Sequence, residues 1–149
     1  KARWGEIAFR CSHDISVDQK IDMKLTDFLE YCSHQTDETP LYIFDPKFAQ
    51  KAPDMLDCYK ILPCFSEDLL SVLGDKRPSY RWFTAGPPRS GAPWHVDPLH
   101  TSAWNALCYG CKLWALYPPE VVPPGVEALG DEDEFLRGFN APTSLQWYL

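Results

Sequence analysis

Two stretches near the start of the chain, residues 4–10 and 15–23, alternate loosely between hydrophobic and polar positions. Because successive side chains of a strand point to opposite faces, this alternation predicts two strands on the flank of a sheet. Residues 24–34 instead place apolar side chains at helical spacing, which predicts a short amphipathic helix that buries one stripe. The members of that stripe are Leu25, Phe28, Leu29 and Cys32.

Two further apolar runs predict strands. Residues 41–44 form a compact run that an Asp-Pro pair ends, and residues 81–84 begin a second series of strands. Aromatic residues are common in strands and in the cores of β-proteins. We therefore expect packing roles for three tryptophans: Trp82, Trp94 and Trp104.

Helices are predicted at residues 53–59 and 66–73. The second is expected to begin with Ser66 as its N-cap, to carry acidic residues in its first turn and to end at Gly74. Another helix is predicted to begin at Thr143, again with a hydroxyl side chain as the cap.

The stretch 91–98 places a histidine and an aspartate two residues apart, between two prolines that exclude a helix. Alternate residues of an extended chain share a face, so His95 and Asp97 are expected to point together. Such a pair supplies two of the three ligands of the 2-His-1-carboxylate triad that binds non-haem Fe(II). A solvated histidine followed by a turn-forming Asp-Pro has the same sequence, and the tripeptide alone favours that simpler reading.

Residues 102–108 and 111–117 are short apolar runs on either side of Tyr109-Gly110, which predicts a β-hairpin with a tight turn. In that register Asn105 and Lys112 lie on one face. A lysine among apolar neighbours is costly to bury without an anionic partner, so Lys112 is a candidate for binding a ligand carboxylate. The alternative is an edge-strand lysine that prevents aggregation.

The composition is that of one globular domain rather than a disordered segment. Hydrophobic residues make up 45% of the 149 positions, and the 14 prolines and six tryptophans suit short strands and fixed turns. The formal net charge is −7, which argues against a basic face for nucleic acid and makes a basic peptide the easier partner. A proline-rich segment at 118–125 and an acidic run at 130–134 predict an excursion from the sheet, most simply a solvated one.

The six cysteines are expected to be free thiols, because no signal peptide places the chain in an oxidising compartment. Cys108 and Cys111 have the spacing of a zinc knuckle, but no second pair of suitable spacing accompanies them. No apolar run approaches the length of a membrane span. We expect an intracellular protein, in the nucleus rather than the cytoplasm, and the sequence does not indicate its oligomeric state.

Several of these motifs, in this order and spacing, resemble the Jumonji C (JmjC) oxygenases of the branch once called phosphatidylserine receptor, which is linked to arginine demethylation and lysyl hydroxylation. They are residues 80–83 (YRWF), 86–91 (GPPRSG), 95–98 (HVDP), 101–106 (TSAWNA) and 112–118 (KLWALYP). The similarity extends back through residues 41–45 to about Phe9 and so covers most of the chain.

The resemblance implies a dioxygenase that uses Fe(II) and 2-oxoglutarate. By analogy, His95 and Asp97 bind the metal as the catalytic residues, and Lys112, Asn105 and Tyr42 bind the cosubstrate. For Tyr42, the simpler role of a core tyrosine is an equal alternative. A threonine that helps to hold the cosubstrate in the family corresponds to Ala92 here.

The fold implied by the resemblance is mainly β, a double-stranded β-helix or jelly roll of the cupin and JmjC type with an N-terminal α/β decoration. We expect a single partial JmjC domain over residues 1–149, with helices and flanking strands to about 78, barrel strands at about 79–117 and the excursion and a helix start at 118–149. The closing strands and the second metal histidine are expected beyond Leu149. Residues 1–149 alone should then be inactive, since His100 is poorly placed as the third ligand.

The resemblance leaves the substrate open among lysine or arginine side chains of a histone or another nuclear protein, and RNA. A silent JmjC or cupin fold that acts only as a binding module is the alternative from a different class. The presence of His95, Asp97, Asn105 and Lys112 together argues against it.

Overall fold

The computed structural model describes residues 3–12, 20–97, 101–118, 120–129 and 138–149. These residues form small antiparallel sheets with few helices, and the chain divides into two compact units, Lys1–Gly91 and Ala92–Leu149. The mainly β character agrees with the sequence, whereas the jelly roll and the single partial domain stay predictions. Within the described ranges, no helix has the length and apolar character needed to cross a bilayer.

The first unit is built on a four-stranded antiparallel sheet in the order β2-β1-β3-β4. Its strands are β1 (Ala8–Ser12), β2 (Ile21–Lys24), β3 (Tyr42–Asp45) and β4 (Phe83–Ala85). All four match predicted strands, with ends shifted by a few residues; residues 15–19 of the second predicted strand lie outside the described part. The register pairs Cys11 with Ile43 and Ile43 with Ala85, which places these small or apolar side chains on one face.

The predicted amphipathic helix is confirmed as α1 (Leu25–His34), which lies against that face. Phe28 is 1% exposed and packs in a core with Phe9 and Ile43. The predicted stripe is too wide, however, because Leu29 is 51% exposed. A short helix on a small sheet buries only the side chains that point directly at it, so Leu29 falls on its solvent side.

The helices predicted at 53–59 and 66–73 are 3₁₀ segments. The first, Pro53–Cys58, follows the short helix α2 (Phe48–Lys51), and the other is Leu69–Lys76. Ser66 is not its N-cap: this residue ends the one-turn 3₁₀ helix Pro63–Phe65, and its hydroxyl donates to the Pro63 carbonyl at 2.8 Å. Gly74, with a φ of 51°, interrupts the helix where its end was predicted.

Asp45 is a buried carboxylate, 1% exposed, at the end of β3. It accepts hydrogen bonds from the Arg10 backbone N–H at 2.9 Å, the Lys47 backbone N–H at 2.7 Å and the Lys51 ammonium at 2.8 Å. Burial alone would raise the pKa of the Asp45 carboxyl, but these hydrogen bonds outweigh it and hold the pKa below its ordinary value. One side chain therefore joins β1, β3 and α2.

Gly86 lies where the turn after β4 comes close to β3. A Cβ at this position would overlap the Ser90 hydroxyl and lie 2.9 Å from the Tyr42 Cβ. We expect Gly86→Ala to lower the free energy of unfolding by about 1–3 kcal/mol, because the Ser90 hydroxyl is hydrogen-bonded to the Pro87 carbonyl and Tyr42 is buried on β3. Urea denaturation measures the effect.

The double variant Gly86→Ala/Ser90→Gly is the matched comparison for this overlap. It should recover part of the lost stability, since the serine side chain is gone while Tyr42 remains. An unchanged urea midpoint for Gly86→Ala would show that the turn adapts without cost.

The second unit contains a two-stranded antiparallel sheet, β5 (Glu127–Leu129) with β6 (Gly138–Asn140), and the helix α3 (Ser144–Tyr148). The sequence missed both strands, because each is three residues long and shows no clear alternation. The predicted cap of α3 is confirmed: Thr143 and Gln146 form a capping box. The predicted acidic run at 130–134 lies outside the described residues.

The predicted hairpin is wrong for the described residues 101–118, where neither run forms a strand. Only its turn is recognisable, as a bend at Tyr109-Gly110 in which Gly110 has a φ of 88°. The apolar side chains of this stretch are exposed, Leu113 by 69% and Leu116 by 81%. Strands form when a neighbour completes their hydrogen-bond ladder and covers one face, and this stretch has neither among the described residues.

Candidate metal and cosubstrate site

His95 and Asp97 lie side by side in an irregular segment of the second unit. The His95 Nε2 and the Asp97 Oδ1 are 3.3 Å apart, and the two side chains are 37% and 45% exposed. The sequence predicted that these side chains share a face because alternate residues of an extended chain do so. The structure places them as that argument requires, although the segment is not part of a sheet.

The orientation of the His95 ring is set by the backbone. Its Nδ1 lies 2.7 Å from the carbonyl oxygen of Pro93. Because a carbonyl can only accept, the proton of this hydrogen bond is on Nδ1. In the neutral ring, Nε2 therefore carries the lone pair and directs it towards Asp97, which is how metal-binding histidines are usually held.

The two donors fit two neighbouring positions of an octahedral ion. Ligands about 2.1 Å from such an ion are about 3 Å apart when they are cis, close to the observed separation. The same distance suits an ion pair with a protonated imidazole. Among the residues that the structure describes, no group of three or more His, Cys, Asp or Glu side chains is placed to hold a metal. His100, which the sequence considered as a third ligand, lies outside them.

Lys112 is held against an aromatic ring rather than a carboxylate. Its Nζ lies 4.3 Å from the centroid of the Trp114 ring, a cation–π contact between residues two apart on one side of an extended segment. Partial burial lowers the pKa of the Lys112 ammonium. No hydrogen bond or ion pair joins Lys112 or Asn105 to His95 or Asp97 within the described ranges, so the predicted grouping of these four side chains stays a prediction.

Tyr42 belongs to the first unit, on β3, and is 4% exposed. Its ring packs edge-to-face with that of Phe44 at 6.0 Å, and the turn at Gly86 approaches its Cβ. This environment suits the core reading of Tyr42. The cosubstrate reading is not tested by it and stays a prediction.

One feature near the metal pair was missed by the sequence analysis. The rings of Trp94, Tyr117 and Trp147 pack edge-to-face with centroids 5.0–6.4 Å apart, next to His95 in the chain. Packing was also expected for two other tryptophans: Trp82 stacks on the Phe44 ring at 5.8 Å and is 41% exposed, and Trp104 is 39% exposed. Trp94, Tyr117 and Trp147 are distant in sequence and meet only in the folded unit, so no local pattern predicts the cluster. The one signal in the sequence is the high frequency of aromatic residues after position 90.

The six cysteines all lie in the described part of the chain and are free thiols. Cys108 and Cys111 are exposed at the bend around Gly110. A structural zinc requires four ligands, and no further cysteine or histidine joins these two in a metal-binding group among the described residues.

Comparison with known proteins identifies the family, although no family model matches the chain. The chain is 48% identical over 148 residues, 99% of its length, to the lysine-specific demethylase JMJ21 of Arabidopsis thaliana. It is 36% identical over 143 residues to the bifunctional arginine demethylase and lysyl-hydroxylase psr-1 of Caenorhabditis elegans, which covers 94% of this chain. The chain belongs to the JmjC oxygenase family.

A third JmjC protein agrees with the expected cofactors. The 2-oxoglutarate and iron-dependent oxygenase JMJD4 of Danio rerio is 29% identical over 114 residues, 71% of this chain. The family is thus confirmed as the sequence predicted it, and the cofactors in the name of this relative, iron and 2-oxoglutarate, match those that the sequence predicted. The chain spans only 16% of JMJ21, 34% of psr-1 and 27% of JMJD4.

Proposed function

We propose that this JmjC chain carries the chemistry of an Fe(II)- and 2-oxoglutarate-dependent dioxygenase that hydroxylates or demethylates a protein side chain. The observation that carries the proposal is the 3.3 Å separation of the His95 Nε2 and the Asp97 Oδ1, with the proton of the imidazole held on the opposite nitrogen. When bound with 2-oxoglutarate and dioxygen, iron would supply the oxidation of a C–H bond.

The residues of the chain have separate tasks in this proposal. His95 and Asp97 would hold two positions of the metal and leave the others for the cosubstrate and a further ligand. Lys112 would pair with the carboxylate of 2-oxoglutarate that lies far from the metal. Asn105 and Tyr42 would donate hydrogen bonds to the cosubstrate, which fixes its orientation and excludes water from the reacting end.

Exchanging the contact with the Trp114 ring for a hydrogen bond to a carboxylate would lower the free energy of Lys112. An exposed cation–π contact stabilises by about 0.5–1 kcal/mol. A charge-assisted hydrogen bond contributes about 1.5–3 kcal/mol. The contact with Trp114 therefore keeps the ammonium partly desolvated without competing strongly with the cosubstrate.

The proposed substrate is a lysine or arginine side chain of a histone or another nuclear protein, and the proposed location is accordingly the nucleus. JMJ21 is named a lysine-specific demethylase, and psr-1 an arginine demethylase and lysyl-hydroxylase. The net charge of −7 supports a basic peptide over RNA, because a phosphate backbone would be repelled. The proposed fold for this activity is the jelly roll of the family.

A binding module without catalysis is the second candidate. In the described part of the chain, no third metal donor joins His95 and Asp97. A two-donor site holds Fe(II) weakly, because protein ligands normally fix three neighbouring positions.

Cosubstrate binding that depends on the metal tests the proposal on this chain. We expect 2-oxoglutarate to bind weakly in anaerobic Fe(II) and not measurably when EDTA replaces the metal, as followed by calorimetry. Binding that is equal with and without the metal would contradict the proposal, because His95 and Asp97 would then hold nothing that the cosubstrate needs.

Turnover separates the enzyme from the binding module. Succinate is measured with Fe(II), ascorbate and methylated histone-like peptides, for this chain and for one extended to the length of its relatives. We expect succinate only from the extended chain, with either an added oxygen atom on the peptide or loss of its methyl group as formaldehyde. An extended chain that binds the peptide but forms no succinate would establish the binding module.

A further inference from the structure

The aromatic cluster of Trp94, Tyr117 and Trp147 is the packing centre beside the metal pair. The Trp94 and Trp147 rings meet at 5.0 Å with an interplanar angle of 73°, and Tyr117 meets both, at 5.7 and 6.4 Å. Edge-to-face pairs of this kind contribute about 0.5–1.5 kcal/mol each beyond the area they bury. Rings in such contact fill the space between one another, so the cluster serves packing rather than the capture of a ligand.

Trp147 is the member of the cluster that lies on a helix and donates a hydrogen bond to the backbone. It lies on α3, whose first turn is closed by the Thr143–Gln146 capping box. Its indole Nε1 donates to the Pro124 carbonyl at 2.8 Å, which ties α3 to the turn leading into β5. Both a backbone contact and a helix cap thus fix the position of this ring, whereas Trp94 lies in an irregular segment without such support.

Trp94 links Trp147 to the metal pair because it lies in the chain between Pro93 and His95. The carbonyl of Pro93 accepts from the His95 Nδ1, and that hydrogen bond spans Trp94. Rotation of the backbone at Trp94 would separate the two atoms and release the imidazole to either tautomer. A ring packed against Trp94 opposes this rotation.

We propose that Trp147 is a positioning residue for the metal site: by holding Trp94 it keeps the His95 Nδ1 on the Pro93 carbonyl and the Nε2 directed at Asp97. The inference rests on the proposed function of His95 and Asp97 as metal ligands. The segment that carries His95 and Asp97 has no regular structure to hold these side chains in place. In this proposal α3, about 50 positions further along the chain, provides that support.

Mn(II) binding to the 149-residue chain tests the proposal, with free Mn(II) measured by electron paramagnetic resonance. Replacing a group that supports a ligand typically costs 10–100-fold in metal affinity. Trp147 acts one residue further away, so we expect Trp147→Ala to weaken Mn(II) binding about three- to tenfold. Trp147→Phe retains a ring against Trp94 and should restore the affinity to within about twofold.

The matched control is Tyr148→Ala, which removes the neighbouring ring of α3. Tyr148 packs on Trp147 at 5.2 Å and is 45% exposed. The substitution Tyr148→Ala should leave the affinity for Mn(II) unchanged. The ¹⁵N resonances of the His95 ring provide a readout independent of the metal. They should show a hydrogen-bonded Nδ1 proton in the parent chain and the loss of this hydrogen bond in Trp147→Ala.

His95→Ala distinguishes failure of the inference from failure of the proposed function. If His95→Ala loses Mn(II) binding while Trp147→Ala binds like the parent, Trp147 does not position the site. If His95→Ala also binds like the parent, the metal site itself is wrong. Should Trp147→Ala lose its cooperative unfolding transition, Trp147→Leu carries the test. Leucine fills part of the volume without a ring, so the inference requires weakened Mn(II) binding with the transition retained.

Discussion

Replacement of Lys112 by methionine is expected to weaken 2-oxoglutarate binding about ten- to hundredfold without lowering the stability of the chain. Methionine retains an apolar stem that packs on Trp114, and only the ammonium is lost. The scale follows from the charge-assisted hydrogen bond of about 1.5–3 kcal/mol that the carboxylate would no longer receive. Calorimetric titration in anaerobic Fe(II), on a chain extended to the length of its relatives, measures the change.

The matched control is Lys60→Met, which removes one positive charge from an exposed lysine of the first unit. It should leave the affinity unchanged if the effect of Lys112 is local rather than a matter of net charge. Equal affinities of Lys112→Met and the parent chain would remove Lys112 from the site.

The pH dependence provides a further check on the same residue. Burial lowers the pKa of Lys112, so its positive charge is lost at a lower pH than for an ordinary lysine. Affinity for 2-oxoglutarate should therefore fall as the pH rises through this lowered pKa. Lys112→Arg should abolish this fall, because a guanidinium remains charged.

Replacement of Asp45 by alanine is expected to lower the free energy of unfolding of the first unit by about 3–5 kcal/mol, as for other buried ion pairs that lose one partner. Three donors, the Arg10 and Lys47 N–H groups and the Lys51 ammonium, would lose their acceptor. Within the described part of the chain, Lys51 would keep its ion pair with Asp22, at 3.6 Å. Urea denaturation followed by tryptophan fluorescence measures the loss.

Two comparisons separate the buried carboxylate from surface charge. Asp22→Ala removes a half-exposed partner of the same lysine and should cost no more than about 1 kcal/mol. The pKa of Asp45 is lowered in the folded chain, so its contribution is present above the unfolded pKa of about 3.9 and is lost as the pH falls through the lower folded value. The stability difference between the parent and Asp45→Ala chains should thus become smaller in strong acid, and a constant difference would contradict this account.

Much of the first unit could be predicted because its signals are local. The alternation in β1 and the apolar stripe of α1 depend on neighbouring residues, and both elements appear where they were predicted. The exposure of Leu29 could not be predicted in the same way, since it depends on how much of the helix the sheet covers. The role of Asp45 was also missed, because its three donors come from separate parts of the sequence.

The sequence by itself predicted the family, the expected cofactors and the pairing of His95 with Asp97, because motif order and the two-residue period of an extended chain need no distant contact. The structure added two local contacts, of the His95 Nδ1 with the Pro93 carbonyl and of Lys112 with Trp114, and only tertiary packing decided that Trp147 lies against Trp94. The predicted hairpin failed for the same reason that the contact of Trp147 with Trp94 was not foreseen. A strand or a packed ring is stable only when a partner satisfies its hydrogen bonds or covers its apolar surface, and that partner is supplied by the folded chain rather than by the neighbouring residues.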